Sequence, residues 1–183
     1  MKMTANLNYP LLNKERIVKL ELAGGALLDV GIYPLNFAYM HFGDHVKEIH
    51  SAAQMTSAGV DGENGILLLY EDGRMAVLNS RIHGKSYSQG VFYGSEGCMI
   101  VENINNPEVI KIYDKDRNPI REVKVPEQIS GYEYEIAETI SCIKEGKLEC
   151  PSMPHAETLR MMRVMDELRA SWGMKYPEEI EKL

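Results

Sequence analysis

Apolar residues recur at helical spacing across residues 26–42, at Leu27, Leu28, Ile32, Leu35, Ala38, Tyr39 and Phe42. That three-and-four step lays one apolar stripe along one helix face. Gly43 follows as a C-terminal cap, and Pro34, which has no backbone N–H to donate, predicts a bend within the helix. Two later stretches share the period. Across 132–145 the stripe is Tyr132, Ile136, Ile140 and Ile143, ended by Gly146; across 154–172 it is Leu159, Met162, Val164, Met165 and Leu168, with Pro154 suited to a first turn. Between the first helix and these two, the chain predicts strands at 46–57, 65–70, 75–81, 89–94, 99–102, 109–113 and 120–125. Turn signals such as Glu71-Asp72-Gly73, Ser95-Glu96-Gly97 and Asn105-Asn106-Pro107 separate them. Connections this short predict antiparallel neighbours. Residues 1–21, with Asn6, Asn8, Pro10 and Asn13, read as a loop or a torn strand end.

A helix, a strand meander and two closing helices predict an α+β domain: a mostly antiparallel, open-faced sheet with helices packed on one face. The 183 residues suffice for one core, and no repeat or linker divides them, so 1–183 is read as a single domain. Ile66-Leu67-Leu68-Leu69-Tyr70 and Met99-Ile100-Val101 are apolar on both parities, as in strands buried on two faces. The face without helices is therefore expected to meet another domain or another copy, which predicts a homo-oligomer.

Composition narrows the picture. A net charge of -7 without a basic cluster argues against nucleic acid, whose phosphates require clustered Lys and Arg. No apolar run approaches the ~20 residues of a membrane helix, and no signal-like segment opens the chain, so a cytoplasmic setting is expected. Cys98, Cys142 and Cys150 fit neither a disulfide framework nor a zinc pattern; they are read as reduced thiols, with no metal site.

Candidate chemistry centres on Asp29 and Tyr33, four apart on the first helix and so on one face. A phenol passes a proton to or from a substrate hydroxyl, and a carboxylate beside it orients that hydroxyl. Gly24 and Gly25 just upstream permit close approach of a backbone or ligand, so Gly25 is a candidate substrate contact. His83, Lys85 and Tyr87 form a polar cluster after a strand end, where binding loops commonly sit. The other histidines have no metal-motif spacing, and His41 and His45 suit a helix C-terminus. The stretch Gly59-Val60-Asp61-Gly62-Glu63-Asn64-Gly65 leads into a strand, so it reads as a hairpin turn; a dinucleotide fingerprint would open a helix. No cofactor site is expected within this chain.

The segment Gly24-Gly25-Ala26-Leu27-Leu28-Asp29-Val30-Gly31-Ile32-Tyr33 resembles the GGALLDxGxY motif of Gfo/Idh/MocA oxidoreductases, in the branch of glucose-fructose oxidoreductase, aldose dehydrogenases and dihydrodiol dehydrogenase. Val91 to Gly97, the Tyr132 to Gly146 helix and Met153-Pro154-His155-Ala156-Glu157-Thr158 are similar to later family segments in the same order. The resemblance implies a C-terminal substrate and dimerisation domain, preceded in the full enzyme by a Rossmann domain that binds NAD or NADP. It implies that Tyr33 moves a proton, that Asp29 orients, and that a Lys comes from an E-K-P motif in the Rossmann domain. Neither E-K-P nor GxGxxG occurs here, so the chain is expected to be inactive alone. Two readings follow: a piece of a dehydrogenase acting on a sugar, polyol or dihydrodiol, or a non-catalytic binding or assembly domain derived from one. Thr4 to Leu7, resembling the tail of a strand whose beginning is missing, favours the first.

Overall fold

A computed structural model describes residues 1–178. Eight strands form one open sheet in the order β2-β3-β4-β1-β5-β6-β7-β8. They are β1 Lys2–Asn8, β2 Val46–Met55, β3 Asp61–Tyr70, β4 Met75–Arg81, β5 Gly90–Tyr93, β6 Gly97–Val101, β7 Val109–Asp114 and β8 Pro119–Lys124. Every neighbouring pair is antiparallel except β1 and β4, which run parallel from Lys2↔Met75 to Asn8↔Arg81. The expected α+β open sheet is borne out.

The expectation for the first residues is borne out in part: of its two readings, loop or strand end, the strand holds, and β1 is a full central strand lying between β4 and β5. Met3, Ala5 and Leu7 alternate with Lys2, Thr4 and Asn6, and the apolar three are sealed in the core at 0–1% exposure. Ala5 is a weak hydrophobe and asparagines flank Leu7, which hides the period of two in the sequence. The asparagines are accommodated by bonding: Asn6 Oδ1 accepts from the Ser86 hydroxyl at 2.5 Å, and Asn8 Nδ2 donates to Asn79 Oδ1 at 3.3 Å.

The first long helix is composite. A turn of π-helix, Leu27–Gly31, runs into α2, Ile32–Phe42. Pro34 cannot donate to the carbonyl four residues back and its ring crowds that carbonyl, and a widened turn accommodates both. Before it lie the short α1, Glu15–Val18, and a 3-10 turn, Leu20–Leu22. α2 and α4, His155–Ser171, cover one sheet face, with Leu35, Met161 and Met165 packed into the same core as Met3, Leu7, Leu68 and Leu78. Each such side chain contributes roughly 1.5–3 kcal/mol by leaving water. α3, Glu133–Lys144, behaves differently from expectation: Tyr132, Ile136, Ile140 and Ile143 remain exposed, and Cys142 is its only buried residue. Periodicity gives a helix its apolar face, but tertiary packing decides whether that face is covered.

On the opposite face, Leu67, Leu69, Met75, Val77, Val91 and Ile100 are only partly covered. The register lines up Leu67, Val77, Thr4, Val91 and Ile100 as one row across five strands.

Candidate active site

The π turn and α2 start beside the C-terminal ends of the parallel pair, β1 and β4. Two glycines make that approach possible. A Cβ on Gly24 would lie 2.5 Å from the Ile17 carbonyl oxygen, and one on Gly25 would lie 2.2 Å from Asp61 Oδ1. Gly25 also has φ of +125°, which disfavours any side chain. Gly25 therefore packs against the Asp61 side chain and permits a buried helix start.

Asp61, at the start of β3, caps that helix from 34 residues away in sequence. Its Oδ2 accepts from Leu27 N and from Asn64 Nδ2, both at 2.8 Å, and Asn64 Oδ1 accepts from the Ser80 hydroxyl at 3.0 Å. Asp61, Asn64 and Ser80 are all buried. Burial pushes the Asp61 carboxyl up to about 6, against the pull of these hydrogen bonds. None of the three was singled out in the sequence, where Asp61 and Asn64 look like turn residues of the glycine-rich stretch. That stretch does turn, at Gly59, but β3 begins at Asp61, four residues before the expected start.

Asp29 and Tyr33 project from this helix. The Asp29 side chain is mostly buried and paired with the Arg16 guanidinium from α1. Tyr33 is 44% exposed. Partial burial raises its phenol above the ordinary value, and Asp29, Tyr132, Tyr9 and Glu135 push the same way. Tyr9, after β1, and Tyr132 and Glu135, at the start of α3, are thus the groups besides Asp29 whose charge bears on Tyr33, and the sequence did not indicate them. His83, Lys85 and Tyr87 lie along the segment after β4. His83 Nε2 is 3.3 Å from Glu63 Oε2, and Pro10 bridges to His83, placing this cluster near Tyr9. Lys85 and Tyr87 are exposed, Tyr87 at 86%.

One half-exposed phenol and a carboxylate one turn earlier suit proton exchange with a polyhydroxylated small molecule.

Fold and site together define an open-sheet α+β domain with a half-exposed phenol at one helix start. A sequence model of the GFO/IDH/MocA C-terminal domain matches residues 2–100, and the chain belongs to that family. It is 30% identical over 159 residues to the scyllo-inositol 2-dehydrogenase (NADP(+)) of Bacillus subtilis, covering 87% of this chain and 48% of that protein. It is 32% identical over 168 residues to the trans-1,2-dihydrobenzene-1,2-diol dehydrogenase of Xenopus tropicalis, covering 88% and 51%. The chain thus spans about half the length of the curated relatives it matches. Its fold is similar to that of the aldose-aldose oxidoreductase of Caulobacter crescentus complexed with glycerol (TM-score 0.78, 17% identity, 92% of this chain and 52% of that one). It is also similar to a 3-ketoreductase of Actinomadura kijaniata in complex with NADP (TM-score 0.80, 21% identity, 92% and 53%).

Proposed function

We propose that this chain is the substrate-side and oligomerisation domain of an NAD(P)-dependent oxidoreductase acting on the CH–OH group of a sugar, polyol or dihydrodiol, and that it is inactive alone. The observation that carries this reading is Tyr33: half-exposed on a rigid helix, with Asp29 one turn earlier. The names of the inositol and dihydrodiol dehydrogenases support the substrate class.

The described residues supply the proton half of the reaction. NAD or NADP would bind on another domain. With its phenol pKa raised, Tyr33 stays protonated near neutral pH and is set to donate toward a carbonyl oxygen being reduced. In the oxidative direction it would need a nearby cation to stabilise the phenolate, and the resemblance assigns that to a Lys of the Rossmann domain. Asp29, steadied by Arg16, orients the substrate hydroxyl. His83, Lys85 and Tyr87 flank the same end of the sheet as secondary substrate contacts. A cytoplasmic setting fits this chemistry.

The Arg16–Asp29 ion pair also favours a second reading, a non-catalytic binding or assembly domain, because it engages the carboxylate that orientation requires. One experiment separates the two. The chain is fused to the Rossmann domain of the inositol dehydrogenase relative and assayed with inositols, aldoses and dihydrodiols in the presence of NADP+ or NAD+. Turnover that disappears in Tyr33→Phe supports the enzyme reading, and turnover unaffected by Tyr33→Phe overturns the role of Tyr33. Saturable polyol binding with no turnover supports the second reading.

A further inference from the structure

The loop between α3 and α4 folds back onto α3 and gathers three side chains of metal-ligating type. Glu138 and Cys142 lie one turn apart on α3, and Cys150 lies in the loop; a carboxylate oxygen and the two sulfurs are all within 4.8 Å of one another. Ser152 holds the carboxylate in place, with its backbone N–H and its hydroxyl donating to Glu138 Oε1 at 3.2 and 2.8 Å. That leaves Oε2 available. Thr139 Oγ1 lies 3.9 Å from the Cys150 sulfur, and Lys147 N donates to the Cys142 carbonyl at 2.9 Å, fixing the loop against the helix.

We propose that Glu138, Cys142 and Cys150 form a binding site for a thiophilic divalent cation of the zinc class, with water as the fourth donor. Tetrahedral coordination at ordinary Zn–S and Zn–O lengths puts donors about 3.5–3.8 Å apart, so the cluster must contract by on the order of 1 Å. A loop closed by backbone hydrogen bonds can contract that far. Charge gives the second argument. Three groups that ionise to anions, a carboxylate and two thiols, lie within 4.8 Å of one another and repel one another once charged. A cation reverses the sign of that interaction, deprotonating the thiols as it binds. The carboxylate already bonded to Ser152 is the outer support that metal ligands commonly have. Ile140, Ile143 and Leu148 nearby are exposed. A bound cation would therefore clip α3 to its following loop.

The test uses the whole chain, fully reduced and freed of metal, titrated with cobalt(II) as a spectroscopic probe and then with zinc. The expected result is one equivalent of cobalt, with visible bands of tetrahedral coordination and a near-ultraviolet thiolate charge-transfer band, both abolished when zinc displaces it. Cys142→Ser and Cys150→Ser should each abolish the charge-transfer band at one equivalent. Cys98→Ser, on β6, should leave it unchanged, and Ser152→Ala should weaken binding ~10–100-fold. Because Cys142 is buried, the exposed-side variant Cys150→Ser with an unchanged thermal melt keeps the test decisive. Cobalt binding indifferent to Cys150→Ser overturns the proposal. So does a reduced chain that takes up no cobalt; if mild peroxide then takes two protons and two electrons from the pair, giving a Cys142–Cys150 disulfide and two waters, the pair is redox-active.

Discussion

Tyr33, on α2, and Asp61, on β3, show how differently two titratable residues can be placed about the same helix start. Tyr33 is half-exposed, so removing its hydroxyl should leave the fold intact and affect only chemistry. In the assembled enzyme, Tyr33→Phe is expected to lower kcat by ~10²–10⁴-fold with an unchanged melting temperature, as for other general acid–base groups. Steady-state kinetics and a thermal melt on the same preparation check both halves. Asp61 is buried, and its role is structural. Its carboxyl titrates near 6 in the fold against an ordinary 3.8. Below about pH 4 both states hold the proton and burial costs nothing. As pH rises through 4 to 6 the unfolded chain releases its proton first, so this group lowers stability progressively, by up to about 3 kcal/mol above pH 6. Asp61→Asn removes that titration. Urea unfolding at pH 4, 5, 6 and 7 should show the variant losing less stability than the parent across this window. Equal slopes would refute the assignment. Asp61→Ala strips the cap from Leu27 and the partner from Asn64, and should cost ~2–4 kcal/mol at pH 5.

Among the elements, α3 and α4 look alike in sequence and differ in the fold. Both carry an apolar stripe at helical spacing, yet Val164, Met165 and Leu168 of the α4 stripe are buried, with only Leu159 and Met162 of it exposed, while Ile136 and Ile140 of α3 are 52% and 47% exposed. Met165→Ala should therefore cost ~2–5 kcal/mol by opening a cavity beneath the sheet. Ile140→Ala should change stability by less than about 0.5 kcal/mol, as surface substitutions do. Chemical denaturation of the two variants checks the contrast. β1 teaches the converse: a segment with little hydrophobic contrast occupies the centre of the sheet because β4 and β5 satisfy its backbone on both sides.

For the whole molecule, the open sheet face has polar and charged edges around a partly covered apolar row through Leu67, Val77, Val91 and Ile100. Such a face, broader than isolated surface hydrophobes, suits burial against a second copy. The expected state is a homodimer or larger assembly joined through it. Val77→Lys, placed mid-row, should give a monomer with a native circular-dichroism spectrum in sedimentation at micromolar concentration. A parent chain that is already monomeric there would overturn the assembly.

What the sequence determined by itself was the local and periodic part: a helix over 26–42 carrying Asp29 and Tyr33, seven of the strands, the two closing helices, and the family, through the residues from Gly24 to Tyr33. Steps of two or three-and-four, and glycines that fit only one backbone, are written in neighbouring residues. Only the tertiary structure decided matters that depend on residues far apart in the chain. It placed β1 between β4 and β5, left the stripe of α3 exposed, set Asp61 under Leu27 and Arg16 beside Asp29, and gathered Glu138, Cys142 and Cys150. Gly25 shows the division most clearly. The sequence marks it as a place of close approach, but the group that approaches is the carboxylate of Asp61, 36 positions further on, because capping a buried helix start stabilises the fold more than leaving its N–H groups without partners.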